Sequence, residues 1–353
     1  MKKFAGIFLL AFVMILAAAC SSSTGGSASG DSTGDSSGGN SDSKASSDTG
    51  STGLWQPKKD IEIVVPSAAG GGWDTTARLT GKFLQKEGLV KKNIGIVNKV
   101  GGGGAVGWAY VHQKNSPSTI FVTSPPILLV PMTGHSQYTY KDFTPIANMI
   151  AGYGAFAVKA DSKYKSINDV FKAMKKDPSS VTLVGASSPG SMDQIQFLKA
   201  AKAAGVDIKK VKYVSDPKGA MADILNGSAD VYTTDVATMV PQVKAGKVRV
   251  LAVTSPERLE GQIASKFPTL KEQGVDATFT NWRGFFGPPD MDPAAVKFYE
   301  QKLKALSNSD KWAEVRKNNG WSEKFMGHDE YVKFIAQQQK DYHSLLSELG
   351  LLK

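Results

Sequence analysis

Cysteine is almost absent from this chain, since Cys20 is the only one in 353 residues. A single thiol excludes a disulfide framework and a thiolate metal cluster. Histidine is also scarce: the four histidines lie far apart in the sequence, and none belongs to an H-E-x-x-H motif. Zinc chemistry and nucleophilic catalysis therefore have little to build on, and we expect no metal, no cofactor and no enzymatic activity.

Acidic side chains are missing between Glu87 and Asp142. Within this stretch Gly102, Gly104 and Gly107 match G-x-G-x-x-G, the dinucleotide fingerprint. That fingerprint also needs an acidic residue about 20 positions further on to hold the ribose, and the stretch has none. Dinucleotide binding is therefore rejected. The same absence favours an anionic ligand, because an anion would meet amides and hydroxyls without a repelling carboxylate.

The amino-terminal segment predicts where the protein is located. Two lysines precede an apolar run over residues 4–16, and three alanines lead to Cys20. This is similar to a bacterial lipoprotein signal, although Ala17 stands where the strict pattern has leucine. A membrane anchor is the alternative, but a bilayer span needs roughly 20 apolar residues. We expect residues 1–19 to be a signal peptide and a lipid such as palmitate on Cys20 to anchor the protein outside the cell membrane, as in Gram-positive-type lipoproteins.

Residues 20–53 are almost entirely Ser, Gly, Asp and Thr, with no aromatic residue. Such a segment cannot bury enough apolar surface to offset its ordering entropy, which predicts a disordered tether that follows the lipidated cysteine. The folded part then begins near Leu54 and has a length typical of two lobes.

The charge balance is basic, with a formal net charge of +10. One interpretation is a solvated basic surface beside an anionic membrane. The other is a field that favours anionic ligands at long range. Nucleic acid is not an expected partner, because the export signal separates the protein from it and the lysines are scattered along the chain.

Apolar runs and helical patterns alternate along the folded part. Residues 61–123 predict a βαβαβ unit, which implies a parallel sheet covered by helices. A second α/β set spans residues 167–235, and "VRVLAVTS" is a further strand. Two α/β lobes joined by extended crossings near residues 155–159 and 281–287 fit this order. The carboxyl-terminal helices, over residues 293–306 and 329–349, are expected to pack on the first lobe.

Three corners rich in small residues each follow a predicted strand and open a helix: "PSAAGGGWD", "NKVGGGGAVG" and "GASSPGSMD". Ligands bind outside the carboxyl ends of parallel strands, where glycine exposes backbone N–H groups and helix N-termini favour anions. The alternative is three tight turns with helix caps, Asp74 being the expected cap of the first helix. Trp73, beside the glycines, either lines a site or only packs.

The folded region resembles the substrate-binding receptors of tripartite tricarboxylate transporters, the TctC or Bug family of extracytoplasmic solute receptors. The residues that carry this resemblance include "WQPKKDIEIVVPSAAGGGWDTTAR", "VNKVGGGGAVGWAYV" and "FPTLKEQGVDATFTNWRGFFGP". Their order covers nearly the whole folded region. The resemblance implies a two-lobed α/β periplasmic-binding-protein fold of type II, the Venus-flytrap fold, with a ligand cleft between the lobes.

The resemblance also implies that backbone amides and bridging waters hold a carboxylate at the strand ends. On this sequence the first-lobe positions are Ser67, Ala68, Gly71, Gly72, Trp73, Thr123 and Ser124. The second-lobe positions are Ser187, Ser188, Gly190 and Ser191. Lys218 either adds a charge contact or is a solvated turn lysine. Asp235 is expected to face the same cleft and to repel an anion unless water or an amino group intervenes.

The sequence thus predicts a lipid-anchored monomeric receptor that captures a small organic di- or tricarboxylate and delivers it to a tripartite tricarboxylate-type permease. Lobe 1 is expected to comprise residues 54–157 and 280–353, and lobe 2 residues 158–279. One alternative is a binding lipoprotein that feeds a sensor kinase or an ABC importer. The other is a secreted hydrolase using Ser187 or Ser191, which lack the G-x-S-x-G elbow.

Overall fold

The fold is built on two groups of strands that share one long strand. A computed structural model describes residues 55–353. Its strands are β1 (Ile61–Val65), β2 (Ile94–Asn98), β3 (Thr119–Thr123), β4 (Thr144–Lys159), β5 (Thr182–Gly185), β6 (Lys212–Ser215), β7 (Val231–Asp235), β8 (Val248–Val253), β9 (Thr280–Gly287) and β10 (Ser322–Met326). Its α-helices are α1 (Gly72–Lys86), α2 (Ala105–Lys114), α3 (Pro126–Met132), α4 (Ile167–Lys176), α5 (Met192–Ala203), α6 (Ala220–Asn226), α7 (Val236–Lys244), α8 (Pro293–Ser307), α9 (Asp310–Asn319) and α10 (His328–Glu348).

The first group has the order β2-β1-β3-β9-β4, in which β1 pairs in parallel with both β2 and β3. The second has the order β6-β5-β7-β4, in which β5 pairs in parallel with β6 and β7. Strand β4 runs antiparallel to its neighbours in both groups. Each parallel strand of the two groups is followed by a turn that leads into a helix. In α/β folds, ligands bind at such carboxyl ends of the strands.

Strand β4 connects the two groups because it is long enough to serve both. Residues 144–153 pair with β9, and residues 154–157 pair with β7. Its side chains are buried over most of its length, as expected for a strand covered on both faces. The sequence predicted only its last five residues as an extended crossing, so the strand begins earlier than predicted.

The predicted βαβαβ unit and the second α/β set are both confirmed, with boundaries shifted by a few residues. Four elements were missed, the helices α3, α7 and α9 and the strand β10. Helices α3 and α7 contain Pro131 and Pro241, and proline usually indicates a turn. Strand β10 has a half-buried, partly charged sequence that pairs with β4 through an irregular register.

The carboxyl-terminal helices pack on the first group of strands, as predicted. Tyr299 and Leu303 of α8 share a buried cluster with Ile63 of β1. Tyr331 and Ile335 of α10 belong to the cluster on the other face of that sheet. The same cluster contains residues of α5, so a helix of the second group also packs against the first.

Candidate functional site

A cavity with a volume of about 490 Å³ lies at the carboxyl ends of the parallel strands. Turns that follow β1, β2 and β3 form one wall, and turns that follow β5, β6 and β7 form the other. Asn281 and Arg283 of β9 complete it. The corners predicted from the sequence therefore meet around one space.

Nine of the twelve candidate ligand-binding residues line this cavity. They are Ser67, Ala68, Gly71, Gly72, Trp73, Ser124, Ser187, Ser188 and Lys218. The other three, Thr123, Gly190 and Ser191, are buried behind its wall. Whether any of the twelve contacts a ligand stays a prediction.

The three glycines of the β1–α1 turn serve three different purposes. Gly70 has φ +83°, a left-handed conformation that side chains rarely adopt. Gly71 is the N-cap, and a Cβ there would meet only the Ala68 carbonyl oxygen at 3.7 Å. Gly72 has no room for a Cβ, because the Arg283 guanidinium and the Asp235 carboxylate lie against it. Only at Gly71 does the missing side chain simply leave the cavity open.

Asp74 is the third residue of α1 rather than its cap, so the predicted capping role is wrong in position. Its carboxylate accepts hydrogen bonds from the Gly70 N–H at 2.9 Å, from Arg78 Nε at 2.8 Å and from Asn98 Nδ2 at 3.0 Å. Burial raises the pKa of Asp74, but these hydrogen bonds outweigh it, so the pKa lies below its ordinary value. The ionised carboxylate fixes the turn from outside the cavity wall.

Trp73 both packs and faces the cavity. Its indole contacts the hydrophobic clusters on both faces of the first sheet. Its Nε1 donates a hydrogen bond of 2.9 Å to Ser124 Oγ, and both residues line the cavity. The ring is therefore held in place. Packing and lining a site, the two alternatives offered by the sequence, are compatible.

The β5–α5 turn repeats this arrangement with different partners. The Ser187 N–H donates to Asp193 Oδ2 at 2.9 Å, and the Asp193 N–H donates to Ser187 Oγ at 2.9 Å. Ser191 is the N-cap of α5, but its hydroxyl makes no capping hydrogen bond. Gly190 has φ +76° and lies against Thr133, the residue after α3. The turn is thus held by Asp193 and by contact with the end of α3.

Asp193 is the unusual titratable group of this site. Its side chain is 3% exposed. Burial raises its pKa to about 7, the hydrogen bonds from Ser187 oppose this rise, and the negative charge of Asp235 adds to it. Near neutral pH this carboxyl group therefore exchanges between its charged and neutral forms.

The sequence interpretation missed Arg283, which changes the role of Asp235. Arg283 Nη2 lies 3.1 Å from Asp235 Oδ2, and the two side chains are 2% and 8% exposed. Arg283 Nη1 also donates to the Gly72 carbonyl oxygen at 2.9 Å and to Thr76 Oγ1 at 3.1 Å. Asp235 in turn accepts the Thr238 N–H at 2.9 Å as the cap of α7. Asp235 lines the cavity as expected, and the guanidinium of Arg283 is the group that offsets its charge.

A signal for this pair was present in the sequence. Arg283 stands in "NWRGFFG", an otherwise uncharged strand, and a charge in a buried strand requires a partner. The partner could not be identified, because Asp235 lies 48 positions earlier in the sequence and no local pattern connects the two residues.

Two other sequence expectations concern metals and membranes. Within residues 55–353 no three His, Cys, Asp or Glu side chains are grouped to hold a metal ion. None of the helices in that range combines the length and apolar character needed to cross a membrane. The predicted signal peptide, Cys20 and the tether lie outside the described residues.

Comparisons with known proteins agree with this geometry. Residues 84–351 match the family described as "Tripartite tricarboxylate transporter family receptor". The "UPF0065 protein in gbd 5'region" of Cupriavidus necator is 27% identical over 303 residues, which cover 84% of this chain and 89% of that protein.

Two solved structures share the fold. The periplasmic binding protein BugD is similar with a TM-score of 0.73 and 22% identity, over 84% of this chain and 99% of BugD. R. palustris Rpa4515, solved with adipate, is similar with a TM-score of 0.75 and 20% identity, over 83% of this chain and 98% of that one. The two-lobed periplasmic-binding-protein fold expected from the sequence is thus confirmed.

Proposed function

Because the chain belongs to the tripartite tricarboxylate transporter receptor family, we propose that it captures a small organic carboxylate outside the cytoplasm and delivers it to a tripartite-type permease. This class includes the di- and tricarboxylates expected from the sequence. The observation that carries the proposal is the cavity, in which glycine-rich turns after β1 and β2 face serine-rich turns from the second sheet. The adipate bound to Rpa4515 supports the same ligand class.

Backbone amides are the proposed carboxylate ligands. The first N–H groups of an α-helix have no acceptor within that helix, and they carry a partial positive charge. At α1 these groups belong to the turn of Gly71, Gly72 and Trp73, which lines the cavity. A carboxylate there meets donors without any acidic side chain from the first wall. Ser67, Ala68, Ser124, Ser187 and Ser188 extend this polar surface, while Thr123, Gly190 and Ser191 support it from behind.

Capture by lobe closure is the proposed mechanism. We place lobe 1 at residues 54–157 and 280–353 and lobe 2 at residues 158–279, joined by β4 and β9. The two lobes also contact each other outside the cavity: Lys202 Nζ lies 2.8 Å from Glu348 Oε2, and α5 packs in the same hydrophobic cluster as α10. A ligand that binds both walls shifts the population towards the closed state.

The location follows from the receptor role. We propose that the protein is exported, anchored through a lipid on Cys20 and active as a monomer without catalysis. The tether then lets the receptor reach a permease in the same membrane. Uptake in vesicles that contain the permease subunits should require the receptor, and uptake that is independent of it would contradict delivery.

Thermal unfolding with a panel of organic carboxylates tests the binding step. A ligand that binds only the native state raises Tm as its concentration exceeds Kd. Gly71→Ser is the matched loss-of-binding variant, because serine at an N-cap accepts the same helix N–H groups that the carboxylate needs. It should keep or raise Tm without ligand and lose the response to ligand.

Gly95→Ser serves as the control, since Gly95 is exposed on β2, outside the cavity lining, and its Cβ would meet nothing closer than 4.0 Å. This variant should respond to ligand like the parent protein. If no carboxylate of the panel shifts the Tm of the well-folded parent, the proposed function is wrong.

A further inference from the structure

The charges around the cavity differ from the charge of the whole molecule. We infer that the cavity selects an organic acid with one carboxylate and an apolar body over di- and tricarboxylates of the same length. This inference depends on the proposed function and narrows its ligand class. The distribution of charged side chains over the two walls supports it.

The first wall carries no charged side chain among its described lining residues. The second wall and the base carry two cations, Lys218 and Arg283, and three carboxyl groups, Asp193, Asp216 and Asp235. The cavity is therefore neutral or slightly negative, although the chain as a whole has a formal charge of +10. A basic protein here surrounds a cavity that is not basic.

The charge of Arg283 is already compensated by a buried carboxylate, although its Nε has no hydrogen-bond partner among the described residues. Its Nη2 is paired with Asp235 at 3.1 Å, and Nη1 donates to Gly72 and Thr76. A ligand carboxylate that took over this guanidinium would leave the buried Asp235 without its cation, which is strongly unfavourable.

The positive charge of Lys218 is compensated by an aspartate in its own turn. Asp216 lies two residues away and accepts the N–H groups of Lys218 at 3.0 Å and Gly219 at 2.7 Å. These hydrogen bonds lower the pKa of Asp216, so its carboxylate is charged at neutral pH. A second ligand carboxylate near Lys218 would meet the charge of Asp216 as well.

Asp193 is the third carboxyl group that a second ligand carboxylate would meet on the second wall. It is buried, it lines the cavity, and no cation is among its hydrogen-bond partners. A nearby ligand carboxylate would have to be desolvated beside this group and would favour its neutral form. An uncharged ligand end avoids that cost.

The lining also offers a surface for an apolar body. Trp73 is held by Ser124, while Val100 and Pro126 extend the same wall. Met192 and Met221 face them from the second wall. Methionine adapts its shape to apolar groups, and such a pocket gains free energy from burying carbon rather than a second charge.

Three unbranched six-carbon acids test this selectivity by titration calorimetry on the purified protein. Hexanoate has one carboxylate, adipate adds a second at the far end, and norleucine adds an ammonium beside the first. We expect hexanoate to bind about tenfold more tightly than adipate or norleucine, a difference of about 1.4 kcal/mol. Benzoate against terephthalate repeats the comparison with a rigid body, and the same preference is expected.

Three other results of the calorimetry would contradict either the inference or the proposed function. Tighter binding of adipate, terephthalate or citrate than of the monocarboxylates would overturn the inference and leave the proposed function intact. Tighter binding of norleucine would also overturn it, since the acidic wall would then recognise an ammonium group. If no carboxylate of any kind binds, the proposed function itself fails.

Two variants connect the selectivity to the named side chains. Asp193→Asn keeps an acceptor for the Ser187 N–H and removes the charge, so the preference for hexanoate over adipate should fall several-fold. Asp276→Asn, on the surface and outside the lining, should leave the preference unchanged. Met221→Gln should weaken hexanoate several-fold and leave acetate unaffected. An unchanged preference in Asp193→Asn would contradict the inference.

Discussion

The two corners of the cavity, β1–α1 and β5–α5, share one design and differ in how their acid is compensated. In both, a strand ends in small residues and an aspartate near the helix start accepts an N–H of the preceding turn. Asp74 also accepts from Arg78, which is half exposed, and its pKa is lowered. Asp193 is buried without a cation, and its pKa is raised to about 7. Near neutral pH the aspartate of the first wall is therefore fully charged, whereas the aspartate of the second wall is partly protonated.

Arg283 connects the two walls of the cavity, since it binds the Gly72 carbonyl oxygen of the β1–α1 corner and Asp235 at the end of β7. Arg283→Met should therefore have the largest effect on stability. It leaves Asp235 as a buried carboxylate without its cation, which is expected to cost about 3–5 kcal/mol in urea unfolding.

The matched control for that variant is Arg258→Met, which breaks the 2.6 Å contact between Arg258 and Glu272 on the surface. Its expected cost is below about 1 kcal/mol. Adding Asp235→Asn to Arg283→Met should recover much of the lost stability. Equal costs for the two arginine variants would show that the buried pair does not stabilise the contact between the two walls.

The pH dependence of stability should have opposite signs for the two aspartates. The folded pKa of Asp193 is raised from 3.8 to about 7, so native Asp193 binds more protons than unfolded Asp193 between these values. Its contribution to stability is present below pH 3.8 and is lost as the pH rises through 7, by up to about 4 kcal/mol. Asp193→Asn should therefore gain stability relative to the parent as the pH rises from 4 to 8.

Asp74→Asn is the contrasting variant. The folded pKa of Asp74 is lowered, so its contribution is present above the ordinary pKa and is lost as the pH falls through the folded one. This variant should be less stable than the parent at neutral pH, and the difference should shrink in acid. Parallel pH profiles of the two variants, measured by chemical denaturation, would contradict the comparison.

Gly72→Ala should have a smaller effect, about 1–3 kcal/mol of destabilisation, because a Cβ would displace the Arg283 guanidinium. Gly71→Ala, one residue earlier, should be tolerated by the fold, since the nearest atom is 3.7 Å away. Denaturant midpoints of the two variants measure the difference. If they coincide, close approach to Arg283 is not the reason for glycine at position 72.

Trp73 and Met192 occupy matching places, each directly before the aspartate of its corner. Trp73→Phe keeps the ring packing and removes the hydrogen bond to Ser124 Oγ, which should cost about 1 kcal/mol. Ser124→Ala should add little to it if the two act through that bond, so a double-mutant cycle is the measurement. Met192→Leu removes no hydrogen bond, and its free energy of unfolding should lie within about 1.5 kcal/mol of the parent's.

Much of the fold could be predicted because its signals are local. Both kinds of signal, strands rich in β-branched residues such as β1 and small residues directly after a strand, depend on neighbours in sequence. Helices α3 and α7 were missed because Pro131 and Pro241 indicate turns, whereas both helices have residues buried by tertiary packing. The length of β4 was missed because pairing with β9 and β7 requires both sheets to be present.

The sequence by itself determined the alternation of strands and helices, the family, and the three small-residue corners, because each follows from the order of residues along a short stretch. Tertiary structure decided which corner residues line the cavity, that Arg283 neutralises Asp235, and that Asp193 titrates near pH 7. Arg283 and the carbonyl of Gly72 that it binds are 211 residues apart. Burial and ion pairing depend on such distant neighbours, and for this reason the charge of the cavity could not be predicted from the charge of the chain.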